Sequence, residues 1–202
     1  MIQLKLLVAT KNPGKAREIK ELLDNNFESI SLADLANAPD VEETGKTFEE
    51  NAILKAKAYF EWSGIPTVAD DSGLEIDHLN GEPGVKSRRW LGYEMTDQEM
   101  IDTALNKLKG VSREKRTAHL VAIGAYYDGK NTILERGSIN GFITETQTIQ
   151  CKPGYPFRAI FWMPQFNKLY QDLTQEEHAQ INHRKFLYQK LTKKIESLFV
   201  VS

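Results

Sequence analysis

Asp70 and Asp71 stand side by side in Val68-Ala69-Asp70-Asp71-Ser72-Gly73-Leu74, and two adjacent carboxylates can do two different pieces of chemistry. The apolar run Thr67–Ala69 reads as the end of a buried strand, and Ser72-Gly73 as the turn that follows. Successive side chains of a strand point to opposite faces. One aspartate is therefore expected to face the sheet and be held by hydrogen bonds. The other is expected to face an open cleft, where it could hold a divalent cation or take a proton from water. Aspartate also favours turns, so the pair alone reads equally as a solvated boundary. Its significance depends on which other groups converge on it.

Stepping upstream, Lys5–Thr10 reads as a first strand and Lys11-Asn12-Pro13-Gly14-Lys15 as a turn. A helix follows, with Ala16, Ile19, Leu22 and Leu23 at helical spacing. Such a start suits an anion, because the first N–H groups of a helix lack intrahelical partners and the dipole adds positive potential. Lys15 would add a full charge; the spacing is not that of a P-loop. Ser29–Leu32 is a short strand candidate, and Asp40–Gly45 an acidic loop. Thr47 with Glu50 has the form of a capping box, opening a helix that carries Ala52, Ala56, Tyr59 and Phe60 and ends near Gly64. Glu42 or Glu43 could share a metal with Asp71, although acidic residues before a helix also simply complement its dipole. Asn51, in the first turn, is a candidate ligand contact.

Downstream, Leu74–Asp77 alternates as a strand and residues 80–84 are turn-rich. Lys86, Arg88 and Arg89 beside Trp90 could help bind a nucleotide, or form a solvated face. Thr96 and Glu99 frame a second capping box, whose helix stops at Gly110. Thr117–Tyr127 is the strongest strand candidate, turning at Asp128-Gly129 into a strand over Thr132–Gly137. Lys152–Arg158 is a loop with two aromatics and cations; loop aromatics stack bases or plug cores. Thr174 and Glu177 resemble a third capping box. A final helix is expected from about Asn182 to Leu198, with His183-Arg184 at its start suited to a carbonyl or phosphate oxygen.

The chain of 202 residues is long enough for one good-sized core or a two-lobed domain. A net charge of -2 argues against bulk binding to nucleic acid but not against a small anionic substrate. The lone Cys151 allows no internal disulfide and fits a reducing compartment. Met1–Lys5 lacks a leader pattern and no apolar run would span a bilayer, so a cytoplasmic protein without membrane or nucleic-acid partners is expected.

In order and wording these pieces resemble the inosine/xanthosine triphosphate pyrophosphatases, which act on deaminated purine nucleotides. The resemblance is carried by Thr10–Lys15 with Glu18, Glu42–Gly45 with Thr47-Phe48 and Glu50-Asn51-Ala52, and Ala69–Leu74. Asn80-Gly81, Pro83–Val85, Ser87-Arg88 and Asn182-His183-Arg184 continue it, so that it covers essentially the whole chain. It implies an α/β fold in which a long mixed β-sheet is flanked by helices. It also implies two lobes with a central active-site cleft, residues 1–202 forming a single two-lobed domain. The implied activity is Mg2+-dependent hydrolysis of ITP, dITP or XTP to the monophosphate and pyrophosphate, by a homodimer. By position, Thr10, Lys11, Asn12, Pro13, Gly14 and Lys15 would bind the triphosphate and Ser72 would contact substrate. Asp71 would be the proton acceptor and a metal ligand with Glu43 or Glu42, and His183 and Arg184 would lie at the base or phosphates. Tyr155, Phe157, Arg158 and His178 would fall in the base-recognising half.

Departures gather in that half. Pro156 stands for a family glycine, Arg158 for an aspartate, His178 for a lysine and Asn182 for a serine, whereas the phosphate and metal half is intact. The chemistry is expected to be retained, with base preference open to a shift; the alternative is a nucleotide-binding homologue without turnover.

Overall fold

The computed structural model describes residues 4–23 and 26–199. Met1–Gln3, part of the stretch read for a leader, lie outside the described residues. The elements in chain order are β1 (Lys5–Val8), α1 (Pro13–Leu23), β2 (Glu28–Ser31), α2 (Phe48–Ser63), β3 (Thr67–Ile76), α3 (Asp97–Lys107), β4 (Thr117–Tyr127), β5 (Thr132–Ile143), β6 (Phe161–Met163), β7 (Lys168–Leu169), α4 (Gln175–Ile181) and α5 (His183–Ser197). The strands form one mixed sheet in the order β2-β1-β3-β4-β5-β6-β7, flanked by helices. β1 pairs in parallel with β2 (Leu7 opposite Ile30) and with β3 (Val8 opposite Val68). β6 pairs antiparallel with β5 (Phe142 opposite Trp162) and with β7. No helix among the described residues is long and apolar enough to cross a membrane.

Two compact units divide the chain. The first comprises residues 1–72, 122–137 and 183–202, the second 73–121 and 138–182. Each has its own core. In the first, Leu6 and Val8 of β1, Ile19 and Leu23 of α1, Val68 of β3, and Leu187, Leu191 and Ile195 of α5 are fully buried. In the second, Leu74, Ile76, Ile101, Ala104, Ile143, Phe161 and Met163 are the equivalent set. The helical spacing of 187, 191 and 195 is the single apolar stripe of α5.

The structure departs from the sequence expectations in several places. Ser72-Gly73 is not a turn: β3 runs unbroken from Thr67 to Ile76. The turn preference of aspartate comes from side-chain bonds to nearby backbone; Asp70 is held by Arg184 and Lys15 from distant helices, and Asp71 is held by Asn51 as well as by the adjacent Ser72 N–H within the extended strand. β5 continues to Ile143, well past Gly137, and β6 and β7 were not anticipated because three and two residues are too short to show a period. The final helix, by contrast, runs from His183 to Ser197 as expected, and the Thr174–Glu177 capping box opens the short α4 before it, which ends at Asn182 with an extended ψ of 102°. The Thr47 box is half formed: Thr47 accepts from the Glu50 N–H, but the Glu50 carboxylate accepts from Lys46 N at 2.6 Å instead.

Candidate active site

The strand-to-helix connection after β1 is organised by Asn12. Its Oδ1 accepts from the backbone N–H of Gly14 at 2.9 Å and of Lys15 at 3.1 Å, and its carbonyl accepts from Ala16 N at 2.9 Å. Thr10 Oγ1 accepts from Asn12 N at 3.2 Å, and Pro13 has no N–H to offer. The expectation of outward, unpaired N–H groups at this helix start is therefore corrected, since the cap consumes them. What α1 presents is the Lys15 ammonium, 3.1 Å from Asp70 Oδ1. Lys11 is ion-paired with exposed Asp40.

Asp70 and Asp71 have different surroundings, as strand alternation requires. Asp70 is wholly buried, and its Oδ2 accepts from Arg184 Nε at 2.8 Å. The same guanidinium donates to Ser72 Oγ at 2.9 Å and lies 3.2 Å from Glu18 Oε2. Burial would raise the Asp70 pKa, but Arg184 and Lys15 outweigh it and hold the carboxyl well below the usual carboxylate range. Asp70 is thereby held as an anion at neutral pH. Burial drives the Lys15 pKa down, with Asp70 opposing and Arg184 and Lys55 adding to the fall.

Asp71 Oδ2 accepts from Asn51 Nδ2 at 3.2 Å and Oδ1 from Ser72 N at 3.0 Å. Burial pushes its pKa up; Lys55, 3.6 Å away, opposes this, and the negative charge of Glu43 reinforces it. A raised carboxyl is a better proton acceptor than an ordinary one. Lys55 Nζ also donates to Glu43 Oε1 at 2.7 Å and to the Asp70 carbonyl at 2.8 Å. Burial alone would lower the Lys55 pKa, but Asp71 and Glu43 reverse this and raise it.

Two glycines permit this assembly by close approach. A Cβ on Gly45 would lie 2.5 Å from Asn51 Oδ1, the atom to which Gly45 N donates, so the acidic loop can lie against α2 and bring Glu43 to Lys55. A Cβ on Gly137 would lie 2.2 Å from the carbonyl of His183, so β5 admits the start of α5 that carries Arg184.

The first unit thus gathers Lys15, Glu43, Asp70, Asp71, Ser72 and Arg184 into one network, joined by residues for which the sequence reading had no role. Lys55 is the main one. It lies four residues after Asn51, hence on the same helical face, and that spacing was the available signal. Glu18, three residues after Lys15, is the other. Glu42 is exposed, whereas Glu43 meets Lys55. Asn51 is spent positioning Asp71. His183 is buried at the first position of α5.

Glu43 and Asp71 share one ammonium, and among the described residues no group of three or more metal-ligating side chains occurs. Mg2+ commonly takes one or two carboxylates and completes its shell with water and substrate phosphates. The donor set fits a cation that arrives with a polyphosphate.

In the second unit Phe157 is buried in the core, while the Arg158 guanidinium lies over the Tyr155 ring at 3.9 Å and the Tyr170 ring at 5.1 Å. His178 Nε2 is 2.7 Å from the Tyr170 hydroxyl. Arg88, one of the cations beside Trp90, is paired with Asp97 at 2.8 Å.

A model of the Ham1 family matches residues 6–194. The chain is 38% identical over 199 residues to the dITP/XTP pyrophosphatase of Bacillus subtilis (strain 168), covering 98% of this chain and 100% of that one. It is 39% identical to the dITP/XTP pyrophosphatase of Bacillus anthracis, covering 96% and 98%. Among solved structures, the Staphylococcus aureus Ham1 protein is similar with a TM-score of 0.83 and 34% identity, covering 96% of this chain and 98% of that one. A HAM1 protein from Coxiella burnetii is similar with a TM-score of 0.84 and 32% identity, covering 96% and 99%.

Proposed function

We propose, from the premise that the chain belongs to the Ham1 family, that it hydrolyses dITP, ITP and XTP to the monophosphate and pyrophosphate. The observation that carries this is Asp71, a buried carboxylate of raised pKa held between Asn51 and Lys55, in one network with Lys15, Asp70 and Arg184. Asp71 accepts the proton of the attacking water as the anhydride beside the α-phosphorus breaks. Asn51 and the Ser72 N–H orient its two oxygens. Lys15 and Arg184 face the phosphates, held in place by Asp70, and Ser72, Thr10 and Asn12 shape the same surface. Lys11, Pro13 and Gly14 line the approach to it. Residues 1–202 serve the reaction as one domain.

Three cations in this network, Lys15, Lys55 and Arg184, face four carboxylates, Glu18, Glu43, Asp70 and Asp71. The protein alone therefore has no surplus positive charge for a polyphosphate. Mg2+, held by Asp71 and Glu43, would supply that charge and lower the pKa of bound water. Tyr155, Arg158, His178 and His183 read the base, with Phe157 supporting them. The protein acts in the cytoplasm as a homodimer, without nucleic-acid or membrane partners.

A panel of ITP, dITP, XTP, GTP and ATP with Mg2+, scored separately for pyrophosphate and orthophosphate, tests this reading. Pyrophosphate release with ITP, dITP or XTP well ahead of ATP and GTP is expected, and EDTA should abolish it. Tight binding without pyrophosphate release would replace the reading with a nucleotide-binding homologue that lacks turnover.

A further inference from the structure

Lys55 holds the two carboxylates that the reading above assigns to Mg2+. Its ammonium donates to Glu43 Oε1 at 2.7 Å and lies 3.6 Å from Asp71 Oδ1. Its remaining contact is with a neutral group, the Asp70 carbonyl at 2.8 Å. The Lys55 side chain is only 11% exposed, whereas 36% of the Glu43 side chain is open to solvent. An ion in solution can therefore reach the carboxylate, while the ammonium that neutralises it is largely enclosed. All four residues belong to the first unit. Glu43 is carried by a loop rather than a helix or strand, and that loop is tied to α2 through the bond from Gly45 N to Asn51 Oδ1.

This arrangement suits a replaceable counter-ion better than a permanent strut. A lysine ammonium is a compact point charge on a flexible stem, so it can leave a carboxylate without breaking a directional fork. The Asp70 carbonyl depends on neither carboxylate and would still anchor it. With Lys55 set aside, Lys15 and Arg184 face Glu18, Glu43, Asp70 and Asp71, a deficit of two charges that one divalent ion matches. Free Mg2+ would have to shed reluctant waters and also leave the ammonium enclosed without an anion, which is costly. A polyphosphate removes the second obstacle, because its oxygens give the displaced ammonium new anionic partners. Resting on the pyrophosphatase reading above, we infer that Lys55 is an internal counter-cation for Glu43 and Asp71, one that keeps free Mg2+ out and yields the two carboxylates to Mg2+ only when a polyphosphate arrives with it. Metal and polyphosphate then strengthen each other's binding reciprocally.

Binding of Mn2+ to the full-length protein without nucleotide tests this, with free Mn2+ read by electron paramagnetic resonance. The wild type is expected to bind Mn2+ weakly. Lys55→Met should bind it about 5- to 150-fold more tightly, the usual span of a coupling between two ligands. Adding Glu43→Gln to Lys55→Met should remove that gain. Lys15→Met takes away an equal charge that pairs with Asp70 rather than Glu43, and should give a clearly smaller gain. A Lys55→Met affinity within about twofold of wild type, below that span, would overturn the inference and leave the pyrophosphatase reading intact, as would an equal gain in Lys15→Met. Should Lys55→Met fail to fold, wild-type melting temperatures decide. No shift with Mg2+ alone, together with a larger shift for Mg2+ plus tripolyphosphate than for tripolyphosphate alone, supports the inference, and any other result refutes it. None of these readouts needs catalysis. Metal binding as expected in a protein that releases no pyrophosphate would refute the pyrophosphatase reading and leave the role of Lys55 standing.

Discussion

The two units treat buried charge in opposite ways. In the first, Asp70, Asp71, Lys15, Lys55 and Arg184 each meet an opposite charge within 4 Å. In the second, the buried cation Arg116 donates to backbone carbonyls, those of Ile143 at 2.8 Å and Leu108 at 2.7 Å among them, and Arg158 lies against aromatic rings. Neutral partners solve the problem of placing a cation without demanding a second desolvated ion. A buried ionic network is a poor route to stability, because desolvation offsets much of the attraction. That the first unit nevertheless concentrates ions around one strand is what the proposed reaction there would require.

Breaking one member of the ionic network should have the largest effect. Asp70→Asn strands Arg184 and Lys15 in a buried site and is expected to cost roughly 3–5 kcal/mol, measured by urea unfolding at neutral pH. The pH dependence has a definite sign. Because the folded-state pKa of Asp70 lies below its unfolded value, its contribution is complete above the unfolded value and is lost as pH falls toward the folded one. Wild-type stability should therefore decline on acidification below the ordinary carboxylate range, and Asp70→Asn should show less of that decline. The second unit has no equivalent change, since the hydrogen bonds given for the Arg116 guanidinium go to backbone carbonyls that a side-chain substitution leaves in place.

Lys55→Met should come next. It removes the cation shared by Asp71 and Glu43, and turnover should fall about 100- to 1,000-fold, the usual cost of deleting one preorganised electrostatic group. Steady-state rates of pyrophosphate release check this, with circular dichroism confirming the fold. A smaller effect is expected at Tyr188, whose hydroxyl is buried without a hydrogen-bond partner among the described residues. Tyr188→Phe should leave the melting temperature unchanged or raise it, because the group removed satisfies nothing. Least of all should come from Lys11→Ala, which breaks a fully solvated pair with Asp40 and should leave the melting temperature where it was.

Much of the framework was legible from residue patterns. The apolar runs of β1, β3 and β4 and the 187–191–195 stripe of α5 are long or periodic enough to be read directly. That Asp70 and Asp71 meet different partners followed from strand alternation, whereas the expected open surroundings of the second carboxylate did not: both are buried and both accept hydrogen bonds. What could not be read was pairing across sequence distance. Lys55 reaches Glu43 over 12 residues, and Arg184 reaches Asp70 over 114, contacts that no local pattern encodes. The helix start at Asn12 misled for the opposite reason: its own side chain satisfied the donors that the pattern left open. Phe157 and Arg158 were equivalent members of one loop in sequence, and only packing separates a core plug from a presented cation.

The central claim is that Asp71 takes the proton of the attacking water. Its most direct test is the initial rate of pyrophosphate release from ITP with Mg2+, compared between wild type and Asp71→Asn under conditions where both are folded. A fall of about 100- to 10,000-fold is predicted, the range for loss of a positioned acid or base, with inosine monophosphate and pyrophosphate as the wild-type products. Equal rates for the two proteins would contradict it.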